Sequence, residues 1–159
     1  MRLSGPVLVA LALLVWIPVP PAGAGMPGPD AEALWRYITQ ESPYTQWGQW
    51  PDWQGLKPSR APHGPQAKIF VNDPGLGTEK PPLAFGTIEV KESYADDDAT
   101  LQNITVQYKV EGFNPEGGDW FWALYSPQGQ VKAAGKLKGC LSCHGFKKKN
   151  DYLMAHEFK

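Results

Sequence analysis

Both cysteines of the chain, Cys140 and Cys143, lie in the stretch "GCLSCHG", with His144 directly after the second. Two thiols with two residues between them, followed by an imidazole, can serve four kinds of chemistry. They can add to the two vinyl groups of one porphyrin while the histidine reaches its iron. They can cycle between dithiol and disulfide, contribute to a zinc site, or close a short structural bridge.

These readings are not equally served by the rest of the chain. A redox dithiol of the thioredoxin kind belongs at a helix start inside a βαβ unit, whereas here the cysteines follow segments patterned as antiparallel strands. Structural zinc takes four ligands, and the remaining candidates are His63 and His156, with no further cysteine. A bridge between residues this close in sequence would staple almost nothing. Haem attachment uses all three residues and is the favoured reading: Cys140 and Cys143 as thioether ligands of a haem c, one per chain, and His144 as the proximal iron ligand.

The elements that must position this motif are mostly strands. Asp30 is placed to cap a short helix over "AEALWRYI", with Leu34, Tyr37 and Ile38 on one stripe. An irregular stretch follows in which Tyr44, Trp47, Trp50 and Trp53 recur about every three residues, as a cover for the core or as part of a cofactor pocket. "AKIFVN" then reads as a strand ending in a turn at Asp73-Pro74-Gly75. In "GTIEVKESY", Ile88 and Val90 alternate with Thr87, Glu89 and Lys91. In "LQNITVQYKVE", Ile104, Val106, Tyr108 and Val110 alternate with Asn103, Thr105, Gln107 and Lys109. Both look like half-buried antiparallel strands with a polar outer face, separated by the charged turn "ADDDAT" and followed by a turn at "NPEGG".

"DWFWALYS" breaks that alternation. Trp120, Trp122 and Leu124 fall on one face and Phe121, Ala123 and Tyr125 on the other, so both sides must be covered. A flat porphyrin held just beyond the next strand, "QVKAAG", would suit the second side. "FKKKND" reads as a solvated basic turn. The expected fold class is mainly β (α+β): an antiparallel sheet with a few short flanking helices and the haem near the C-terminus.

The start of the chain has another character. Arg2, the apolar run "PVLVALALLVWIPV" and the small residues Ala22 to Ala24 form an export signal, residues 1–24, with the cut after Ala24. Pro18, Pro20 and Pro21 interrupt the run before it reaches spanning length. Residues 25–159 then form a single haem-binding domain, and the location is periplasmic. Lys and Arg number 15 against 16 Asp and Glu, with no basic stripe, which argues against nucleic acid as a partner.

"PHGPQAKIFVND", "VKESY", "YKVEGFNPEGGDWFWALYSPQGQVKAAGKLKGCLSCHG" and "NDYLM" together resemble the cytochrome P-460 and cytochrome c′-β family of exported monohaem proteins. The likeness runs from about Ala31 to Tyr152. It implies a mainly β fold, a homodimer, an open distal iron position, nitric oxide binding and, in the P-460 type, hydroxylamine oxidation by a haem cross-linked to a lysine. Lys91 matches the cross-linking position. Two departures stand out: "AAGKLKG" lacks the distal carboxylate of hydroxylamine-oxidising members, and Ala67 or Lys68 stands where an arginine is expected. A pocket without a base oxidises hydroxylamine slowly.

Two functions therefore compete. One is a haem protein that binds small nitrogen oxides at a five-coordinate iron, with Phe70, Phe85 and Phe121 as candidates for an apolar distal cap. The other is a six-coordinate electron-transfer cytochrome serving a periplasmic redox partner, its sixth ligand Met154 or His156, with His63 a weaker candidate.

Overall fold

The computed structural model describes residues 25–60 and 62–159. The export signal read over residues 1–24 lies outside the described residues. The fold is a six-stranded antiparallel meander in which spatial order follows sequence order: β1 (Lys57–Pro58), β2 (Gln66–Val71), β3 (Ile88–Tyr94), β4 (Leu101–Lys109), β5 (Trp120–Tyr125) and β6 (Val131–Gly135). Among the described residues three short α-helices flank it: α1 (Ala31–Arg36), α2 (Asp73–Leu76) and α3 (Lys138–His144). The mainly β, α+β expectation holds.

α1 starts where Asp30 accepts a hydrogen bond from the Ala33 amide at 2.8 Å, satisfying a donor the helix leaves orphaned. Its stripe continues through a π-helical turn over Tyr37–Glu41, and Leu34 and Ile38 are fully buried. The Tyr125 hydroxyl donates to the Ala31 carbonyl at 2.7 Å and the Tyr108 hydroxyl to the Pro27 carbonyl at 2.7 Å, fastening this segment to the sheet.

Strand register sorts every side chain to one of two faces. Phe70, Val90, Val106 and Ala123 lie opposite one another across β2 to β5. With Ile88, Ile104, Tyr108, Phe121 and Tyr125 they pack under Leu34 and Ile38 in the main apolar core. The intervening positions form two rows on the other face. One runs Val71, Glu89, Gln107, Trp122; the next runs Ile69, Lys91, Thr105, Leu124.

That second face was expected to be solvated in β3 and β4, and it is not. Glu89, Gln107 and Lys109 are 6 %, 4 % and 4 % exposed. The physical reason is the return of the chain after β6: α3 and the C-terminal segment fold back over this face, and Tyr152, Leu153 and Ala155 join Trp50, Ile69, Val71, Trp120 and Trp122 in a second apolar cluster. The two-sided burial read from "DWFWALYS" holds, with Trp120 and Trp122 in this cluster and Phe121, Ala123 and Tyr125 in the main core.

The "FKKKND" segment is a 3-10 turn over Gly145–Asn150 whose end is buried, contrary to a wholly solvated turn. Asp151 pairs with Lys109 at 2.6 Å, and the Asp151 carbonyl accepts from Trp120 Nε1 at 3.0 Å. Among the described residues no helix is long and apolar enough to cross a membrane.

Candidate functional site

The chain leaves β6 at Gly135, whose φ of 107° is open to glycine and strained for other residues, and after Leu137 enters α3. Leu137, Cys140, Leu141 and His144 fall at i, i+3, i+4 and i+7, one face of the helix. Leu137, Cys140 and Leu141 pack on the second apolar cluster. Cys140, Cys143 and His144 all line a cavity of about 610 Å³ between α3 and the sheet, a volume in the range of cofactor sites. Both thiols are unbridged, and burial raises the proton affinity of Cys140.

His144 is oriented by the segment that follows it. Its Nδ1 lies 2.8 Å from the Tyr152 carbonyl oxygen. A carbonyl only accepts, so Nδ1 carries the proton and Nε2 keeps its lone pair free for a metal. The carbonyl is itself fixed: Asp151 and Tyr152 both adopt left-handed conformations, with φ of 51° and 68°. The Tyr152 amide donates to the Lys147 carbonyl at 2.9 Å. Burial lowers the proton affinity of His144, the Tyr152 carbonyl partly offsets this, and Lys91 adds to the lowering. The net lowering favours the neutral form a ligand requires.

Lys91 reaches the cavity from β3. Its Nζ donates to Ser59 Oγ at 2.8 Å and lies 5.7 Å from the centre of the Trp53 ring. Burial depresses its proton affinity and Glu89 partly restores it, so the amine is closer to its nucleophilic form than a surface lysine. Trp53 is thus a pocket residue, whereas Tyr44 and Trp47 pack on the main core and Trp50 in the second cluster. The recurring aromatics divide between the two roles considered for them.

Several other expected site residues lie elsewhere. Phe70 and Phe121 belong to the main core on the opposite sheet face, against Tyr44 and Phe113 respectively. They share the strand phase of Val90 and Tyr125, and neither lines the cavity. Phe85 is 50 % exposed and outside the cavity lining. None of the three caps the pocket. His156 is held apart by stacking on Trp50, with ring centres 4.7 Å apart, and by a 2.8 Å contact from its Nδ1 to Asp52. Met154 does line the cavity.

Two residues have more prominent positions than the sequence reading gave them. His63, read as a weaker candidate for the iron, lines the cavity with its ring centre 6.2 Å from that of His144. Burial, helped by Lys91 and His144, pushes its pKa down to about 4. Glu89, read as part of a solvated polar face, lines the cavity two residues from Lys91 and accepts a hydrogen bond from Trp50 Nε1 at 2.5 Å. Burial raises its pKa to about 7 against the opposing effects of Trp50 and Lys91. The cavity thus contains a carboxylate after all, supplied by β3 rather than by the stretch before the cysteines.

The donor set and the walls fit a haem. α3 presents two thiols and an imidazole to one space, and Trp53, Trp122, Leu124 and Leu137 give it apolar walls. Three buried polar atoms in the lining, Asn103 Oδ1, Gln107 Nε2 and Trp122 Nε1, have no hydrogen-bond partner, as expected of a cavity completed by a bound group. Among the described residues no cluster of three or more His, Cys, Asp or Glu is arranged to hold a lone metal ion.

A search of curated proteins returned no match. A family model described as Cytochrome P460 matches residues 49–155, a span that takes in β1 to β6, the cavity lining and all of "GCLSCHG". With a sheet, a cavity and a donor set of the kind such a haem protein needs, the chain belongs to the cytochrome P460 family.

Proposed function

We propose that this protein is an exported, periplasmic c-type monohaem cytochrome that binds small nitrogen-oxide ligands, nitric oxide foremost, at an open iron position. In this reading Cys140 and Cys143 form the thioethers and His144 Nε2 is the axial ligand. The observation that carries it is the convergence of all three residues on one cavity, with the Tyr152 carbonyl holding His144 in the required tautomer. Bound there, a haem iron supplies reversible ligand binding and one-electron chemistry. The chain's own contribution is to hold the ring, exclude bulk water with Trp53, Trp122 and Leu124, and present Lys91 and Glu89 to the same space. Lys91 is the residue placed to bond to the porphyrin, and hydroxylamine is a second ligand of the right size. By likeness to its relatives the protein pairs as a homodimer and exchanges electrons with a periplasmic partner.

The test is an optical spectrum of protein matured in a host that attaches haem c, oxidised and reduced, before and after nitric oxide. High-spin spectra that change with the gas support the reading, and a ferrous Soret band strongly shifted to the red reports a bond to Lys91. The competing function, a six-coordinate electron carrier, draws on Met154, which lines the cavity. It predicts low-spin spectra indifferent to nitric oxide.

A further inference from the structure

Residues 120–150 carry six lysines, Lys132, Lys136, Lys138, Lys147, Lys148 and Lys149, and no Asp or Glu. Residues 25–119 carry 14 acidic residues against seven basic ones. The near-neutral balance of the whole chain hides this division. The basic segment is the one that holds Cys140, Cys143 and His144, and four of its lysines bracket them: Lys138 opens α3, and Lys147, Lys148 and Lys149 lie in the 3-10 turn that continues it. Lys138, Ser142 and Phe146, at i, i+4 and i+8, fall on the side of α3 away from the sheet and are all exposed. Phe146 is 91 % exposed, against 38–50 % for the other exposed large apolar side chains among the described residues. Lys147 pairs with Glu157, whereas Lys138, Lys148 and Lys149, all exposed, have no carboxylate partner among the described residues. Cys143 both lines the cavity and is exposed, so the cavity reaches the surface beside this face.

We propose that the outer side of α3 and its 3-10 extension is the docking surface for an acidic one-electron carrier protein, with Phe146 as its apolar centre and Lys138, Lys148 and Lys149 as its basic rim. Protein interfaces are built with aromatic centres and polar rims, and rim charges steer a partner of opposite sign to the right face. Electron-transfer encounters are weak and use small contact areas, so a patch the length of one short helix suffices. A lipid surface is a poorer match. A helix lying in a membrane interface buries a whole apolar face, whereas Phe146 is the one large apolar side chain exposed between Lys138 and Lys149. In the docked pair the carrier is oxidised by one electron and the ferric haem is reduced to ferrous, with no bond formed or broken.

The electron-transfer role rests on the haem reading and deepens it; the docking does not depend on it, and the two are measured separately. Holoprotein is titrated by calorimetry with a plant-type 2Fe–2S ferredoxin, an acidic one-electron carrier, and its reduction by reduced ferredoxin is followed by stopped flow. Affinity and rate are each expected to fall at least about tenfold between about 20 mM and about 200 mM salt. Lys138→Glu combined with Lys148→Glu is expected to weaken low-salt binding at least about tenfold and Phe146→Ala about fivefold, both with the haem spectrum unchanged. Arg36→Glu combined with Lys80→Glu makes the same change in net charge at exposed positions elsewhere and is expected to stay within about twofold of wild type. Equal losses in the two charge-reversed pairs, or a wild type that does not bind at low salt, overturn the docking surface. Binding through these lysines to phosphatidylglycerol vesicles in place of ferredoxin overturns it in favour of a lipid surface. A colourless wild type that still binds ferredoxin overturns the haem reading and the electron transfer with it, and supports the docking surface.

Discussion

The Lys109 ammonium and the Asp151 carboxylate, 42 residues apart in sequence, meet at 2.6 Å with side chains only 4 % and 7 % exposed. Asp151 also accepts from the Leu83 amide at 2.7 Å, and Lys109 donates to the Gly118 carbonyl at 2.8 Å. Asp151 directly precedes Tyr152, whose carbonyl orients His144, so this pair ties the axial-ligand candidate to the middle of the sheet.

Breaking that pair leaves one buried charge uncompensated. Lys109→Met or Asp151→Asn is expected to destabilise the protein by about 3–5 kcal/mol, and the double replacement Lys109→Met with Asp151→Asn by clearly less than the sum. Denaturant unfolding of the single variants and the double variant measures this directly.

Gly118 makes a related prediction. It has φ of 70°, and a Cβ there would lie 2.4 Å from the Tyr152 ring. Gly118→Ala is expected to destabilise by about 1–3 kcal/mol through backbone strain and a forced shift of Tyr152. A shift in the haem spectrum beyond that of an equally destabilised core variant would place the disturbance at the His144 hydrogen bond.

Glu89 and His63 have opposite effects on stability as pH changes. The Glu89 pKa rises on folding from 4.5 to about 7, so its contribution is fully present below pH 4.5 and is lost as pH rises through 7. The His63 pKa falls from 6.5 to about 4, so its contribution is present above pH 6.5 and is lost as pH falls through 4. Between pH 4.5 and 6.5 the two slopes oppose each other. Glu89→Gln should therefore gain stability relative to wild type as pH rises, reaching on the order of 3 kcal/mol at pH 8. Unfolding free energies at pH 4.5, 6.5 and 8 check the sign.

The placement of the phenylalanines gives a contrast between faces. Phe121→Leu should lower stability by about 1–2 kcal/mol through loss of core packing and leave the rate of nitric oxide binding unchanged. Trp122→Phe, on the cavity face with its ring 4.6 Å from that of His144, should alter both the spectrum and the binding rate. Stopped-flow mixing with the two variants separates them.

The alternation in β3 and β4 and the doubly apolar β5 made the sheet legible, because side-chain phase is a local property of a strand. The same phase places Phe121 with Ala123 and Tyr125, but both faces of β5 are apolar, so phase alone does not tell which face meets the main core. The same holds for Phe70, since Ile69 and Val71 beside it make both faces of β2 apolar. Glu89 and Gln107 read as a solvated face because nothing within β3 or β4 shows that residues 138–155 return to cover them. His63 sits in a loop whose destination depends on the β1–β2 pairing, and Tyr152 acts through a backbone carbonyl, which carries no residue-type signal. Cys140, Cys143 and His144 were legible because their chemistry lies in their spacing.

The most direct test of the central reading is the intact mass, under denaturing conditions, of protein matured with haem-c machinery. The account predicts a polypeptide heavier by one haem that stays attached on unfolding, with the added mass lost when Cys140 and Cys143 are both replaced by serine. A polypeptide without added mass, with Cys140 and Cys143 free or bridged to each other, would contradict it.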